Sequence, residues 1–507
     1  GGEDGGMRRV WEGLAGNPAL PGEAVERLVE LAEPDLSVEL AGRADLTDRQ
    51  VEVLAERGIA AAGRLVEAGR LVVERVDPRR QPIAALALLR AGRAPAGWAE
   101  LLVERRELWP ELASTEWLPA EAARRLLAGA DRQVLVELAE AQPDPGVLAV
   151  LAAHPSQHVR QAVAWNPAAP PAVLADLLND RPPLESCEVC ERHPVPWTHP
   201  PDCPDPDCDL PGGAACDGSH QYARHTIVQA ALGHPAVPAV DARRYLGAAS
   251  PFLRAQLAGH PGLDPDTYAQ LAADPALWVL EELAGNPVIG EGLIRRLATV
   301  PHESVRRAVV GNPAVPLDVL EWAWEGVVLK LGTMLPPRIA AADPAETERL
   351  AASADPELRR LLALRRDLPP PVRDRLADDP VAKVANAVAP HPGLDERQLR
   401  DMHRRHGRAV GPGIAANPDA TTALLRALVT AEHNVATLRA VARHPAADGP
   451  TLTACLRDRR AREQAAAHPA LPLDRIRALL ADPATIHLAA ANPALPAADL
   501  LRLMPPP

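Results

Sequence analysis

Aromatic side chains are nearly missing from this sequence: nine Trp, three Tyr and one Phe in 507 residues. That scarcity argues against one thick globular centre and suits thin layers of small apolar helices, and the length itself exceeds what a single core serves. Lysine is almost absent too, with Lys330 and Lys383 alone, so the basic charge is carried by arginine. The net charge of -13 and pI near 5.7 argue against a surface made as a whole to hold nucleic acid. No apolar run reaches the length of a membrane span, and the N-terminal GGEDGGMRRVWEG lacks the apolar core of a signal peptide, so a cytoplasmic protein is expected, with no membrane partner. Also missing are a Gly-rich phosphate loop, G-x-S-x-G, H-E-x-x-H and the dinucleotide fingerprint, so no enzymatic activity is expected.

What the chain has in abundance is a dipeptide. An Asn or His stands before Pro at Asn17, Asn166, His234, His260, Asn286, Asn312, His391, Asn417, His444, His468 and Asn492. Successive separations are 26 from His234 to Asn312, then 26, 27, 24 and 24 from His391 onward. A fixed period of this length is the mark of stacked repeats. Degenerate heads keep roughly the same phase in LAGRADLT (40–47), STEWLP (114–119), AEAQPDP (139–145) and RRDLPPP (365–371).

Each repeat reads as two helical pieces. After the head comes a second proline and a run such as PLDVLEWAW (316–324) or PLDRIRALLA (472–481), apolar three and four residues apart, with an acidic residue in its first turn. A break follows, often Asp-Pro, then a shorter Ala/Val-rich run such as SVRRAVVGNP (304–313) that ends on the next head. Neither piece can bury its apolar face alone, whereas stacked copies can.

The order A-x-N-P-x-x-P-x-x-x-L-x-x-L-A-x-D-P-x-x-x-V-R-x-x-V-A resembles the leucine-rich repeat variant family. The resemblance covers nearly the whole chain, strongest in 141–178, 226–325 and 365–504, and weak in 48–115. It implies an all-α, right-handed curved solenoid of 24–27-residue repeats, each an α-helix followed by a short 3-10 or α helix, without strands and without a catalytic role. The expected organisation is degenerate repeats over 1–140, regular repeats over 141–180 and 222–325, irregular ones over 326–364 and a regular C-terminal set over 365–507. Asn and His exchange freely at the heads, which points to backbone hydrogen bonding at the turn before proline. Arg160, Arg254, Arg306 and Arg462, six residues before a head, read as a solvated ridge.

Residues 181–221 interrupt the period, because Asn166 and His234 are 68 apart. This insert holds Cys187, Cys190, Cys203, Cys208 and Cys216, five of the six cysteines, with His220 beside the last. So few apolar residues need a staple, and in a cytoplasmic chain zinc is the expected one: Cys187-x2-Cys190 supplies one thiolate pair and Cys203-x4-Cys208 a second. The string Cys216-Asp217-Gly218-Ser219-His220 resembles the CDGSH iron-sulfur signature, which implies an alternative in which Cys216 and His220 ligate an iron-sulfur cluster; the upstream C-x-C of that family is absent. Disulfides or free thiols remain the third reading of these cysteines. The isolated Cys455 reads as a buried core residue.

Two stretches are candidates for binding. Trp322 and Trp324 occupy alternate helical positions, where packing into the core is the expectation although one ring can face out. Arg397, Arg400, Arg404, Arg405 and Arg408 stand against the single Asp401 within 397–408 and could meet an anionic partner, including nucleic acid, although a solvated helix face is the simpler reading. The expected function is a scaffold that holds another protein on its extended surface. An iron-sulfur redox or metal sensor is the alternative.

Overall fold

The computed structural model describes residues 2–116, 118–154, 156–179, 219–248, 250–323, 335–431 and 434–504; for 2–7, 219–225 and 431 it describes the backbone alone. The described residues are all-helical, without a strand. They form two compact units, one of Gly1–Arg75 with Ile339–Pro507 and one of Val76–Arg338. In the first of them the earliest repeats of the chain pack on the last ones.

Local chemistry explains where each helix begins and ends. The first helix of a repeat starts with proline at Pro145–Ala152, Pro171–Leu178, Pro265–Leu271, Pro344–Ala351 and Pro370–Ala377, where the missing N–H costs nothing. Asp144, Asp264 and Asp343 cap three of these by accepting a backbone N–H. The second helix stops at the head, because a residue before proline is pushed out of the helical region. Asn166, His260, Asn286, Asn312 and His444 accordingly have ψ between 118° and 131°. Of the two forms expected for the second piece, 3-10 or α, these repeats take the α-helix, as at Pro251–Gly259, Leu277–Gly285 and Glu303–Gly311. Their runs of Ala, Val and Leu without an internal proline sustain two full turns.

In the second unit the helices Arg132–Ala141, Gln157–Trp165, Ser219–Leu232, Pro251–Gly259, Leu277–Gly285 and Glu303–Gly311 each pack on the next. The step from Gln157–Trp165 to Ser219–Leu232 skips the insert, and His234 Nε2 lies 3.0 Å from Asn166 O. The helices on either side of residues 180–218 thus pack directly on one another.

In the first unit the corresponding row runs Pro356–Leu362, Ala382–Val388, Gly411–Ala415, Val435–Arg443, Arg459–Ala466 and Ile486–Ala490, then passes to Gly2–Ala15, Pro34–Ala41 and Ile59–Glu67. The two ends of the described chain are thus neighbours in one stack. Gly13 is required at this join, since a Cβ there would lie 2.1 Å from the His487 carbonyl oxygen. Gly413, also four residues before a head, meets Asn386 O at 2.4 Å in the same sense.

Candidate functional site

The heads come first, because they are the most repeated polar groups and all are buried. Asn312 Nδ2 donates to Ala284 O at 2.7 Å and Asn286 O at 2.9 Å, while its Oδ1 accepts from Ala314 N at 2.8 Å. Asn286, Asn417 and Asn492 make the same set one repeat apart. Asn17 continues it onto Ala490 O and Asn492 O, both at 2.8 Å.

Histidine fits because its ring nitrogens sit where the amide's two ends do. Nδ1 of His234, His260, His444 and His468 accepts the N–H two residues on, at 3.0 to 3.1 Å. Nε2 then donates to a carbonyl of the preceding repeat, as from His444 to Asn417 O at 2.8 Å. These partners fix the neutral Nε2–H tautomer. Even Arg43, in the degenerate head LAGRADLT, copies the donor half: Nη1 reaches Ala15 O and Asn17 O, and Asp45 holds the rest of the guanidinium. All of these heads bond backbone carbonyls of the preceding repeat, the structural role expected of them. Burial pushes His391 and His468 below the ordinary imidazole range.

Of the arginines six residues before the heads, Arg254 is not part of a solvated ridge. Arg254 Nε and Nη2 grip Asp274 at 2.7 and 3.1 Å, and Nη1 donates to Ala248 O at 2.7 Å. Arg359 repeats this on Asp379 and Ser353 O. Each is a mostly buried clamp between one repeat's second helix and the next mid-repeat break. Cys455 is fully buried, which pushes its thiol up to about 11 and leaves it unreactive.

The groups left for recognition lie on the outer faces. In the second unit Phe252 and Trp278, each eight residues before a head on neighbouring second helices, are 40% and 57% exposed with ring centroids 5.8 Å apart. Trp165, one residue before Asn166, is 63% exposed. It takes a place that Gly233, Gly259, Gly285 and Gly311 fill in the following repeats. Glu282 lies four residues beyond Trp278, and burial raises its carboxyl above the usual range, with Glu281 adding to the effect. Trp322, on the first helix Leu317–Ala323, is 45% exposed rather than packed in the core; Trp324 lies outside the described residues.

The arginine patch sits on the helix Glu396–His406, and that helix largely neutralises it. Arg400 pairs with Glu396 at 2.5 Å, Arg404 with Asp401 at 2.5 Å and Arg405 with Asp378 at 3.0 Å. Arg397 is 4.0 Å from Asp401, and Arg408 is exposed without an ion pair among the described residues. Cys187, Cys190, Cys203, Cys208 and Cys216 lie outside the described residues, and of His220 only the backbone, in the helix Ser219–Leu232, is described. Among the described residues no group of His, Cys, Asp and Glu is arranged to hold a metal ion.

Sequence reasoning missed Phe252, Trp278 and Trp165 as one face. The signal was available, because Phe252 and Trp278 are 26 residues apart, one full period. The chain matches no protein-family model and no curated protein.

Proposed function

We propose that the repeats build a right-handed curved α-solenoid of the leucine-rich repeat variant kind, and that it works in the cytoplasm as a non-enzymatic scaffold for another protein. The observation that carries this reading is the pairing of Phe252 with Trp278 on successive repeats. In a chain with 13 aromatic residues, two large rings are placed side by side in solvent while the heads are consumed by backbone bonds. Exposed aromatic pairs supply rigid contact area at little entropic cost, which suits a protein partner.

The test compares the wild-type chain with a Phe252→Ser/Trp278→Ser variant in affinity capture from native lysate, the helical signal serving as a control on folding. Specific proteins held by the wild type should be lost from the variant. Identical sets of bound proteins would reject the reading.

The insert of 181–221 is proposed to bind zinc through Cys187, Cys190, Cys203 and Cys208, with Cys216 and His220 available to a second ion. Supporting this are the thiolate spacing and the direct bond from His234 to Asn166, which joins the repeats that flank the insert. The CDGSH string favours the second reading, an iron-sulfur sensor. Colourless protein with one or two zinc ions per chain, released by chelator, supports the first; a visible chromophore lost in Cys216→Ser supports the second.

A further inference from the structure

We infer that a cleft between the helices Val435–Arg443 and Arg459–Ala466 is a docking site for an acidic segment of the partner protein, a step that rests on the scaffold reading above. The cleft is lined by Arg439, Arg459, Arg460, Glu463 and Gln464, and Arg443 closes its side through a 2.7 Å bond from Nε to Gln464 Oε1. Arg439, Arg443, Arg459 and Arg460 have no ion pair among the described residues, and Arg439 Nε is buried without a hydrogen-bond partner. By contrast Arg254, Arg359, Arg426 and Arg477 each pair with an aspartate, and Arg462, within the same helix as Arg460, faces Asp482 at 3.8 Å.

Position makes the excess more telling. Arg459 and Arg460 occupy the first turn of their helix, where the helix dipole disfavours cations, and the adjacent carboxylate, the N-cap Asp458, accepts from Ala461 N and pairs with neither. Other second helices place acids there, as at Glu303 and Glu357. Four unneutralised guanidiniums with one carboxylate, in a chain of net charge -13, suit oxyanions presented singly. Carboxylates spaced along an extended peptide need only this cleft. A nucleic acid, with a charge about every 1.7 Å of duplex, would meet the acidic remainder of the surface.

The experiment uses the full chain and fluorescence anisotropy with a labelled octaglutamate peptide, an oligonucleotide of equal charge and inorganic phosphate as competitor. The peptide should bind and weaken as salt rises. Its affinity should fall about tenfold or more in Arg439→Gln/Arg460→Gln and change by less than about twofold in Arg397→Gln/Arg404→Gln. If the Gln pair fails to fold, Arg439→Lys/Arg460→Lys keeps the charge and should still weaken the peptide by removing the guanidinium fork. Unchanged binding in the folded cleft variants, tighter binding of the oligonucleotide, or phosphate binding as tightly as the peptide would overturn the inference. Phe252→Ser/Trp278→Ser separates the two readings: no peptide binding, with aromatic-dependent capture intact, rejects the cleft alone, whereas loss of both rejects the scaffold.

Discussion

Each unit is held together inside by the same kinds of bond, and the two differ in what they show to solvent. In both, a head side chain ties each repeat to the carbonyls of the one before, and an arginine clamp grips the next mid-repeat aspartate, Arg254 on Asp274 in one unit and Arg359 on Asp379 in the other. Outside, the second helices of the Val76–Arg338 unit carry Trp165, Phe252 and Trp278, while those of the other unit carry Arg439, Arg443, Arg459 and Arg460. The lesson is that the repeat fixes its inward positions by hydrogen bonding and leaves the outward ones to vary. Differences between repeats at those positions are therefore the places to look for function.

If the interiors are equivalent, breaking a clamp should cost the same in either unit. Arg359→Ala and Arg254→Ala should each remove about 3 to 5 kcal/mol, because each leaves a mostly buried carboxylate without its partner, and denaturant unfolding reads this directly. A joint at one place should break only one unit. Gly13→Val, which drives a side chain into the His487 carbonyl, should cost about 3 kcal/mol and raise amide exchange in the Gly1–Arg75 and Ile339–Pro507 unit first. Losing one head is smaller: Asn312→Ala should cost about 2 kcal/mol in thermal unfolding, since two carbonyls and one N–H lose their side-chain partner.

Acid sharpens the comparison further. His391 and His468 are held neutral by burial, so the unfolded chain takes up protons at a higher pH than the folded one. The stability they contribute is complete above the ordinary imidazole value near 6.5 and declines as pH falls below it. Thermal melts between pH 7.5 and 5.5 should therefore show a falling Tm that His391→Asn/His468→Asn flattens. The smallest effect on folding belongs to the outer face, where Trp278→Ser should change stability by about 0.5 kcal/mol or less.

Much of the interior was legible because its signals are local. A head before proline, a proline at the start of a helix and an aspartate cap each act within a few residues, so the period and the helix spans 317–323 and 473–480 follow from the sequence. The join of Asn17 to Asn492 could not be read, because the two residues are 475 positions apart and no local signal links them. The arginine patch at 397–408 looked cationic because Glu396 stands one residue outside it and Asp378 more than a turn of chain away. The arginine cleft was overlooked for the opposite reason: Arg439 and Arg460 are distant in sequence and meet only when neighbouring helices stack. Alternate positions let one of Trp322 and Trp324 face out without saying which, and the phase of the helix Leu317–Ala323 turns Trp322 outward.

The central claim is that the heads build the stack and are indifferent to the choice between Asn and His, so that recognition belongs to the outer faces. The direct measurement is amide hydrogen exchange at pH 8 on a variant in which His234, His260, His391, His444 and His468 are all replaced by Asn. The N–H groups of Ala236, Gly262, Ala446 and Ala470, which now donate to imidazole Nδ1, should remain as protected as in the wild type because the amide Oδ1 takes the same place. Exchange at those amides as fast as in His260→Ala would contradict the account.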